Sequence, residues 1–493
     1  MKFFVFLWFF LLTKNLFFWL WLWQLKEYHL GRFRAHFETE GIKKFFSSFW
    51  QIKFPVWTKK IIILSFLGIF LEVLILIFLL SLTEETFLFG LLVTFFLSPF
   101  IFSLLILGFQ IPTNLFKKII LKKAKRKREK FKNDFLVIGI TGSYGKTSTK
   151  EFLATILTEK FGEDKVLKTK EHQNSEIGIS QCILKELKPE HEIFIAEIGA
   201  YDKGQIKLVC DIIQPQIGII TGINEQHLGV FGSMKNLLSA EGGEELIRAL
   251  PKNGMGIINW DNEFIKSEIK KGKIQEKNLK ICSLKEKIDY WTEDIEVKKK
   301  FVFFKIFSKD NDWANFKINL LGIQNIENIL LAAAVAKELG MNLEEISLAC
   351  QKIKLEQSGM KLIKNKDGLN IIDSTYSTNP NAVFSHLDYL KTWLGRKIII
   401  LPSLIELGKA SKEIHYKIGK KIAQICDLAI ITTKGRFKEI KEGAIKEEMK
   451  PENIIFLENP EKIQNKIKIF SSPEDIILLE GRSPFSIIKK LKE

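Results

Sequence analysis

Lys146 and Thr147 close the segment GITGSYGKTS (139–148), which lies between a short apolar run and an amphipathic stretch. Those residue types in that setting fit phosphate chemistry. Glycines let a backbone curl until successive N–H groups point at phosphate oxygens, and a following helix adds the positive end of its dipole. Lys146 is placed to reach the β- and γ-phosphates and Thr147 to ligate Mg²⁺. The strict Walker A spacing asks for glycine six positions before the lysine, where this chain has Ile140. The segment is therefore a shortened relative of that loop.

A loop of this kind needs a strand before it and a helix after it. FLVIGI (135–140) supplies the strand and KTSTKEFLATIL (146–157) the helix. EIFIAEIGA, QIGIITGIN and MGIIN follow as further buried strands with helical stretches between them. Such alternation predicts a mostly parallel sheet covered on both faces. After a break around Leu355 to Met360, LNIIDSTY, RKIIILPS, LAIITTK and DIILLEG begin a second, smaller α/β series, expected to be doubly wound and Rossmann-like. No short repeat is visible.

The front of the chain differs in kind. Three apolar stretches, Phe3 to Trp23, Ile61 to Leu82 and Thr86 to Phe109, approach the roughly 20 residues that cross a bilayer. Lys14 and Asn15 interrupt the first, Glu72 lies in the second and Pro99 in the third. Glu72 either marks an intramembrane site or serves a structural role, by pairing with Lys14 or facing a water-filled gap. Eight Lys and Arg residues fill the loop between the first two stretches, whereas the next loop holds only Glu84 and Glu85. From Lys117 to Lys132, ten basic residues stand against one acid, part of a net charge of +17. The positive-inside rule puts both basic segments in the cytoplasm and the N-terminus outside. The polybasic run then faces anionic lipid. Phe33 to Trp57 is expected to lie along that interface as an amphipathic helix. Zinc-finger, RNP-like and basic recognition-helix patterns are lacking, which argues against nucleic acid. The five scattered cysteines form no CxxC pair and are expected to be buried reduced thiols.

TGSYGKTS is similar to the shortened P-loop of the Mur ligase family, which joins amino acids or peptides to cell-wall precursors. Further family landmarks follow in order: NSEIG (174–178), AEIGA (196–200), INEQHL (223–228) with FGS (231–233), GIQNIEN (322–328), IDSTYSTNP (372–380) and ELG (406–408). The resemblance covers about residues 135 to 484. It implies three parts: a membrane domain at 1–133, a P-loop-type central domain at 134–355 and a C-terminal domain at 356–493. It implies ATP and Mg²⁺ as cofactors, with a substrate carboxylate attacking the γ-phosphate and an amine displacing phosphate from the acyl phosphate. The acceptor would be a muramoyl peptide, UDP-linked or lipid-linked, and the amine donor a peptide such as D-Ala-D-Ala.

On the same resemblance Thr141, Gly142, Ser143, Tyr144, Gly145, Lys146, Thr147 and Ser148 hold the nucleotide, with Asn325 on adenine and Asp373 on ribose. Thr147 and Glu197 take a first metal and His227 a second. In the family a carbamylated lysine supports the second metal. Counted from Ser233, its place here is Glu241, which either substitutes for the carbamate or is a surface acid. Other departures are Gln324 for the histidine that opens the helix, Met360 for a nucleotide-contacting arginine, and EGR (480–482) for Lys-Gly-Ser. The family's UDP-binding N-terminal domain is replaced by the apolar stretches. Three rivals stand beside this reading. One is another amide ligase, either folate-polyglutamylating or amidating a lipid-linked precursor, although the latter usually carries a four-cysteine zinc ribbon. The second is a membrane P-loop ATPase, for which a full Walker A and a Walker B run would be expected. The third is an inactive scaffold.

Overall fold

The computed structural model describes residues 2–34, 49–131, 135–171, 173–272, 274, 278–366, 368–376, 378–481 and 485–492. The chain divides into two compact units, Met1–Ile119 and Ile120–Glu493.

In the first unit, α1 (Lys2–Leu25), α2 (Lys59–Leu80) and α3 (Glu84–Gly108) are the long apolar helices. Among the described residues, three helices are long and apolar enough to cross a membrane. Lys14 and Asn15 leave α1 unbroken. Asn15 is buried and donates to Ser98 Oγ at 3.1 Å, and Thr13 Oγ1 donates to Glu72 Oε2 at 2.7 Å. A buried polar group without such a partner would cost several kcal/mol, on the order of 2–7. Gly68 lets α2 approach the Leu16 side chain of α1, which a Cβ would strike. α4 (Gln110–Arg128) carries most of the basic run; Lys132, at its end, lies outside the described residues. The amphipathic helix expected over Phe33 to Trp57 is corrected in part. Residues 35–48 lie outside the described residues, and 51–58 are not helical. There the backbone N–H and C=O of Val56 pair with the Gln24 side chain, at 2.7 and 2.8 Å, instead of with helix neighbours.

The described residues of the second unit form two sheets. The first comprises β1 (Leu136–Thr141), β2 (Val166–Lys168), β3 (Ile193–Glu197), β4 (Ile217–Ile220), β5 (Met255–Asn259), β6 (Leu279–Ser283), β7 (Tyr290–Val297), β8 (Val302–Ser308) and β9 (Trp313–Ile318). Their order is β2-β3-β1-β4-β5-β6-β7-β8-β9, parallel as far as β7 and antiparallel beyond it. Every residue of β3 and β4 is buried, as expected where both sheet faces are covered. α5 (Lys146–Phe161) covers one face through Phe152, Leu153, Ile156 and Leu157. The opposite face packs Val137, Phe194, Ile198 and Ile220 against Leu237 and Leu246.

The second sheet comprises β10 (Lys361–Lys364), β11 (Asn370–Ser374), β12 (Lys397–Leu401), β13 (Leu428–Ile431), β14 (Ile454–Phe456) and β15 (Ile476–Glu480), in the order β10-β11-β15-β12-β13-β14. Among the described residues of this sheet, only the β10–β11 pair is antiparallel. β15 returns to lie between β11 and β12. The fold is thus mixed α/β with two large, mostly parallel sheets, and all eight strands expected from the sequence are present. The antiparallel extension β7–β9 was not anticipated.

Candidate functional site

Three adjacent strands, β3, β1 and β4, end at the same edge of the first sheet, where open α/β sheets bind ligands. β1 ends at Thr141, whose carbonyl accepts from Thr221 N at 3.0 Å. The chain then turns through Gly142 and Gly145 at φ +140° and +77°, values that favour glycine. A Cβ at Gly142 would run into Thr221 Oγ1, and one at Gly145 into the Asn328 side chain. Ser143 N donates to Gly222 O at 2.7 Å, which fixes the curl of the loop. The Tyr144 ring lies against Gly222, and its hydroxyl accepts from Asn262 Nδ2 at 3.2 Å. Burial, with Glu327 nearby, raises the Tyr144 pKa, so the phenol stays neutral. No side chain caps the start of α5, and its first N–H groups remain available to an anion.

Lys146 and Thr147 open α5 above this cradle, followed by the partly buried Ser148. Lys146 Nζ donates to the Gly142 carbonyl. Thr147 Oγ1 donates to Glu197 Oε1 at 3.1 Å, and Asn174 Nδ2 reaches the same oxygen at 3.3 Å. One turn further on, Lys150 is fully buried between Glu197 Oε2 at 3.1 Å and Glu151 Oε1 at 3.3 Å. A buried ammonium requires such pairing, and Lys150 in turn holds the Glu197 carboxylate in place. Adjacent oxygen ligands on an octahedral Mg²⁺, at about 2.1 Å from the metal, lie about 3.0 Å apart. The Thr147–Glu197 oxygen separation therefore fits a hard cation. Among the described residues no three His, Cys, Asp or Glu side chains converge as a metal cage. An ion here would draw its other ligands from phosphate and water, as Mg²⁺ at nucleotides does.

The segment after β4 brings His227. Its Nδ1 lies 3.0 and 3.1 Å from the two oxygens of Glu241, at the end of α6 (Met234–Ala240). Glu241 is 1% exposed, so the surface-acid alternative is overturned. Ser143 Oγ donates to it at 2.7 Å, and Lys146 Nζ lies 4.0 Å away. Burial opposes ionisation of Glu241, yet His227, Lys146 and Ser143 together hold its carboxyl below the usual carboxylate range. A carboxylate on Nδ1 orients an imidazole and leaves Nε2 for a ligand, as in metal sites.

The remaining positions line up less tightly. Asn325 is fully buried at the start of α7 (Gln324–Glu338); its Nδ2 donates to Leu321 O at 2.8 Å. Asn325 Oδ1 has no partner among the described residues, an acceptor that an exocyclic amine would satisfy. Asp373 sits on β11 in the second sheet, where its Oδ1 accepts from Thr375 N and Oγ1 at 3.1 and 2.6 Å. Met360 is buried, and its sulfur accepts from Gln324 Nε2 at 3.1 Å. Glu480 is fully buried, 2.7 Å from His386 Nδ1 and 2.5 Å from Thr378 Oγ1. Arg482, the neighbouring departure, lies outside the described residues.

Comparison with known proteins matches these same segments. The Mur ligase middle domain matches residues 140–336, and the Mur ligase, glutamate ligase domain matches residues 360–483. A UDP-N-acetylmuramoyl-tripeptide–D-alanyl-D-alanine ligase of Buchnera aphidicola is 30% identical over 319 residues, 63% of this chain and 67% of that protein. The chain belongs to the Mur ligase family. The ligase of the same name from Synechocystis is 30% identical over 290 residues, 58% of this chain. This Mur ligase aligns with 59% of that relative's length and 65% of the one from Haemophilus influenzae. Among solved structures, MurF from Acinetobacter baumannii is similar with a TM-score of 0.66 at 25% identity, covering 76% of this chain and 79% of that one. MurF from Thermotoga maritima in complex with ADP has a TM-score of 0.64 at 23% identity, covering 76% and 82%, a likeness of fold alone. The three long apolar helices lie ahead of both matched segments.

Lys150, Asn328 and Glu327 were missed by sequence reasoning. Lys150 was findable, because it stands one helical turn after Lys146 on the same face. Asn328, whose Oδ1 accepts from Thr149 Oγ1 at 3.2 Å, gave no signal beyond lying in GIQNIEN.

Proposed function

We propose that this Mur ligase forms an amide bond at the expense of ATP during synthesis of a peptidoglycan precursor, adding D-Ala-D-Ala to a muramoyl peptide. The observation that carries the reading is the meeting of a phosphate cradle, Lys146, the Thr147–Glu197 pair and the Glu241–His227 pair at neighbouring strand ends. The chemistry requires two anions, a substrate carboxylate and the ATP γ-phosphate, to approach one another. Cations and fixed dipoles must therefore face the point where charge develops.

In this proposal the loop 141–148 wraps the phosphates, and Lys146 leaves the Gly142 carbonyl for the β/γ-phosphate oxygens. Asn325 accepts from the adenine amino group and Asp373 binds the ribose. Thr147 and Glu197 would hold Mg²⁺, with His227 at a second ion, and bound Mg²⁺ supplies charge neutralisation at the phosphates. Glu241 orients His227 and carries, unmodified, the negative charge that the carbamylated lysine supplies elsewhere in the family. The amine then attacks the acyl phosphate and phosphate leaves. The parts are a membrane domain at 1–133, a central domain at 134–355 and a C-terminal domain at 356–493.

The three apolar helices support a multi-pass location in the plasma membrane, with the catalytic parts in the cytoplasm and the basic run against anionic lipid. A lipid-linked acceptor is the second reading, favoured by those same helices, since enzyme and substrate would then share one surface. The Lys146→Ala variant tests the assignment in detergent-purified full-length protein. ADP release that depends on both muramoyl peptide and D-Ala-D-Ala should fall below detection, and near-normal turnover would refute the role of Lys146.

A further inference from the structure

The short segment that bears His227 is tied at both ends to the second sheet's loops. At its start Asn224 is 1% exposed, and its Oδ1 accepts from Gln226 N at 3.0 Å, capping the turn Glu225–His227. Its Nδ2 donates to Asn379 Oδ1 at 2.9 Å and to Asn381 Oδ1 at 3.0 Å. Asn379 is the N-cap of α8 (Pro380–Leu390), so its Oδ1 also takes Ala382 N, at 3.1 Å. Beyond His227, Gly229 N donates to Glu406 O at 2.7 Å. Glu406 is held at φ +67° to present that carbonyl, and Gly408, at φ +52°, passes so close that a Cβ on Gly229 would meet its backbone N at 3.1 Å.

Few side chains could do what Asn224 does here. Its carbonyl oxygen caps one short helix while its two amide hydrogens grip the start of another, 155 and 157 residues further along the chain. Serine or aspartate could cap the turn, but neither offers two donors. We infer that Asn224 is a positioning residue, through which the 379–381 segment sets where His227 stands. The inference rests on the proposed ligase reading for the role of His227, but the contact itself can be measured without turnover. It predicts that loosening the grip from the far side disturbs His227 and leaves the phosphate loop alone.

Asn381 provides that far side. It is exposed, lies outside the catalytic machinery, and its replacement should leave the fold intact. In full-length detergent-purified protein, Asn381→Ala and Asn224→Ser should each speed hydrogen exchange of amides 226–229 by about tenfold, the scale of one lost hydrogen bond. Exchange in α5 should stay unchanged. Both variants should lower kcat by roughly tenfold with an unaltered KM for ATP. The double variant should be no slower than Asn224→Ser alone, because both changes break one link. Asn381→Asp keeps an acceptor and should behave as the wild type. Unchanged exchange at 226–229 in both single variants would overturn the inference, as would additive losses or a rise in the KM for ATP matching the loss of kcat. If the wild type shows no ligation at all, the ligase reading fails, while the exchange data still decide whether Asn224 sets this segment.

Discussion

Replacing Glu241 with glutamine removes one negative charge while keeping almost the same size and shape. The carboxylate is 1% exposed and faces three partners: Ser143 Oγ at 2.7 Å, His227 Nδ1 at 3.0 Å and Lys146 Nζ at 4.0 Å. At an effective dielectric constant near 20, a charge pair 4 Å apart interacts by about 4 kcal/mol. Only part of that would appear in the barrier, because in the proposed reaction Lys146 exchanges this partner for phosphate. The hydrogen bond to His227 is the larger loss, since a glutamine amide cannot orient the ring with two equivalent acceptor oxygens. Loss of one such preorganised contact typically lowers turnover on the order of 10²-fold or more. Coupled ADP-release kinetics at saturating substrate should show that fall in kcat for Glu241→Gln. The KM for ATP should move by no more than a few-fold, because the cradle and the Thr147–Glu197 pair are untouched. Added bicarbonate should not stimulate the wild type, since no lysine there needs carbamylation. Glu241→Lys should recover partial activity that bicarbonate enhances. Full kcat in Glu241→Gln would refute the reasoning and leave His227 without a functional orienting group.

Membrane topology can be checked by single-cysteine labelling, with a low background because all five native cysteines are buried. Glu84→Cys should react with an impermeant thiol reagent in intact cells and Lys130→Cys should not; the reverse pattern would place the ligase outside, away from ATP. Glu327, beside Asp261, has its pKa pushed up to about 7, chiefly by burial. A carboxyl raised in the folded state favours folding while protonated, and that contribution fades as pH rises through 7. Thermal melts of Glu327→Gln should therefore gain on the wild type between pH 6 and pH 8.5, and a constant difference would refute the shift.

Strands buried on both faces read as continuous apolar runs, which is why FLVIGI, EIFIAEIGA and DIILLEG marked their places so clearly. β7 to β9 escaped because their burial alternates along each strand, with Trp313 exposed and Lys305 half-buried, instead of running unbroken as in strands covered on both faces. Local sequence placed Lys146 and Thr147, since a strand, glycines and a helix start suffice for them. Glu197, His227 and Glu241 come from three elements separated by up to 44 positions, and only the ordered resemblance brought them forward. The depth of Glu241, and the reach of Asn224 to a second sheet, depend on packing that no local pattern encodes. The same holds for Lys150, whose burial is tolerable only because two glutamates meet it.

The most direct measurement is the mass of the product. Purified full-length protein would be incubated with ATP, Mg²⁺, D-Ala-D-Ala and either UDP-linked or lipid-linked muramoyl tripeptide. The account predicts one ADP released for each acceptor that gains the dipeptide less one water, with at least one of the two carriers accepted. ATP hydrolysis without any mass gain on either acceptor would contradict it.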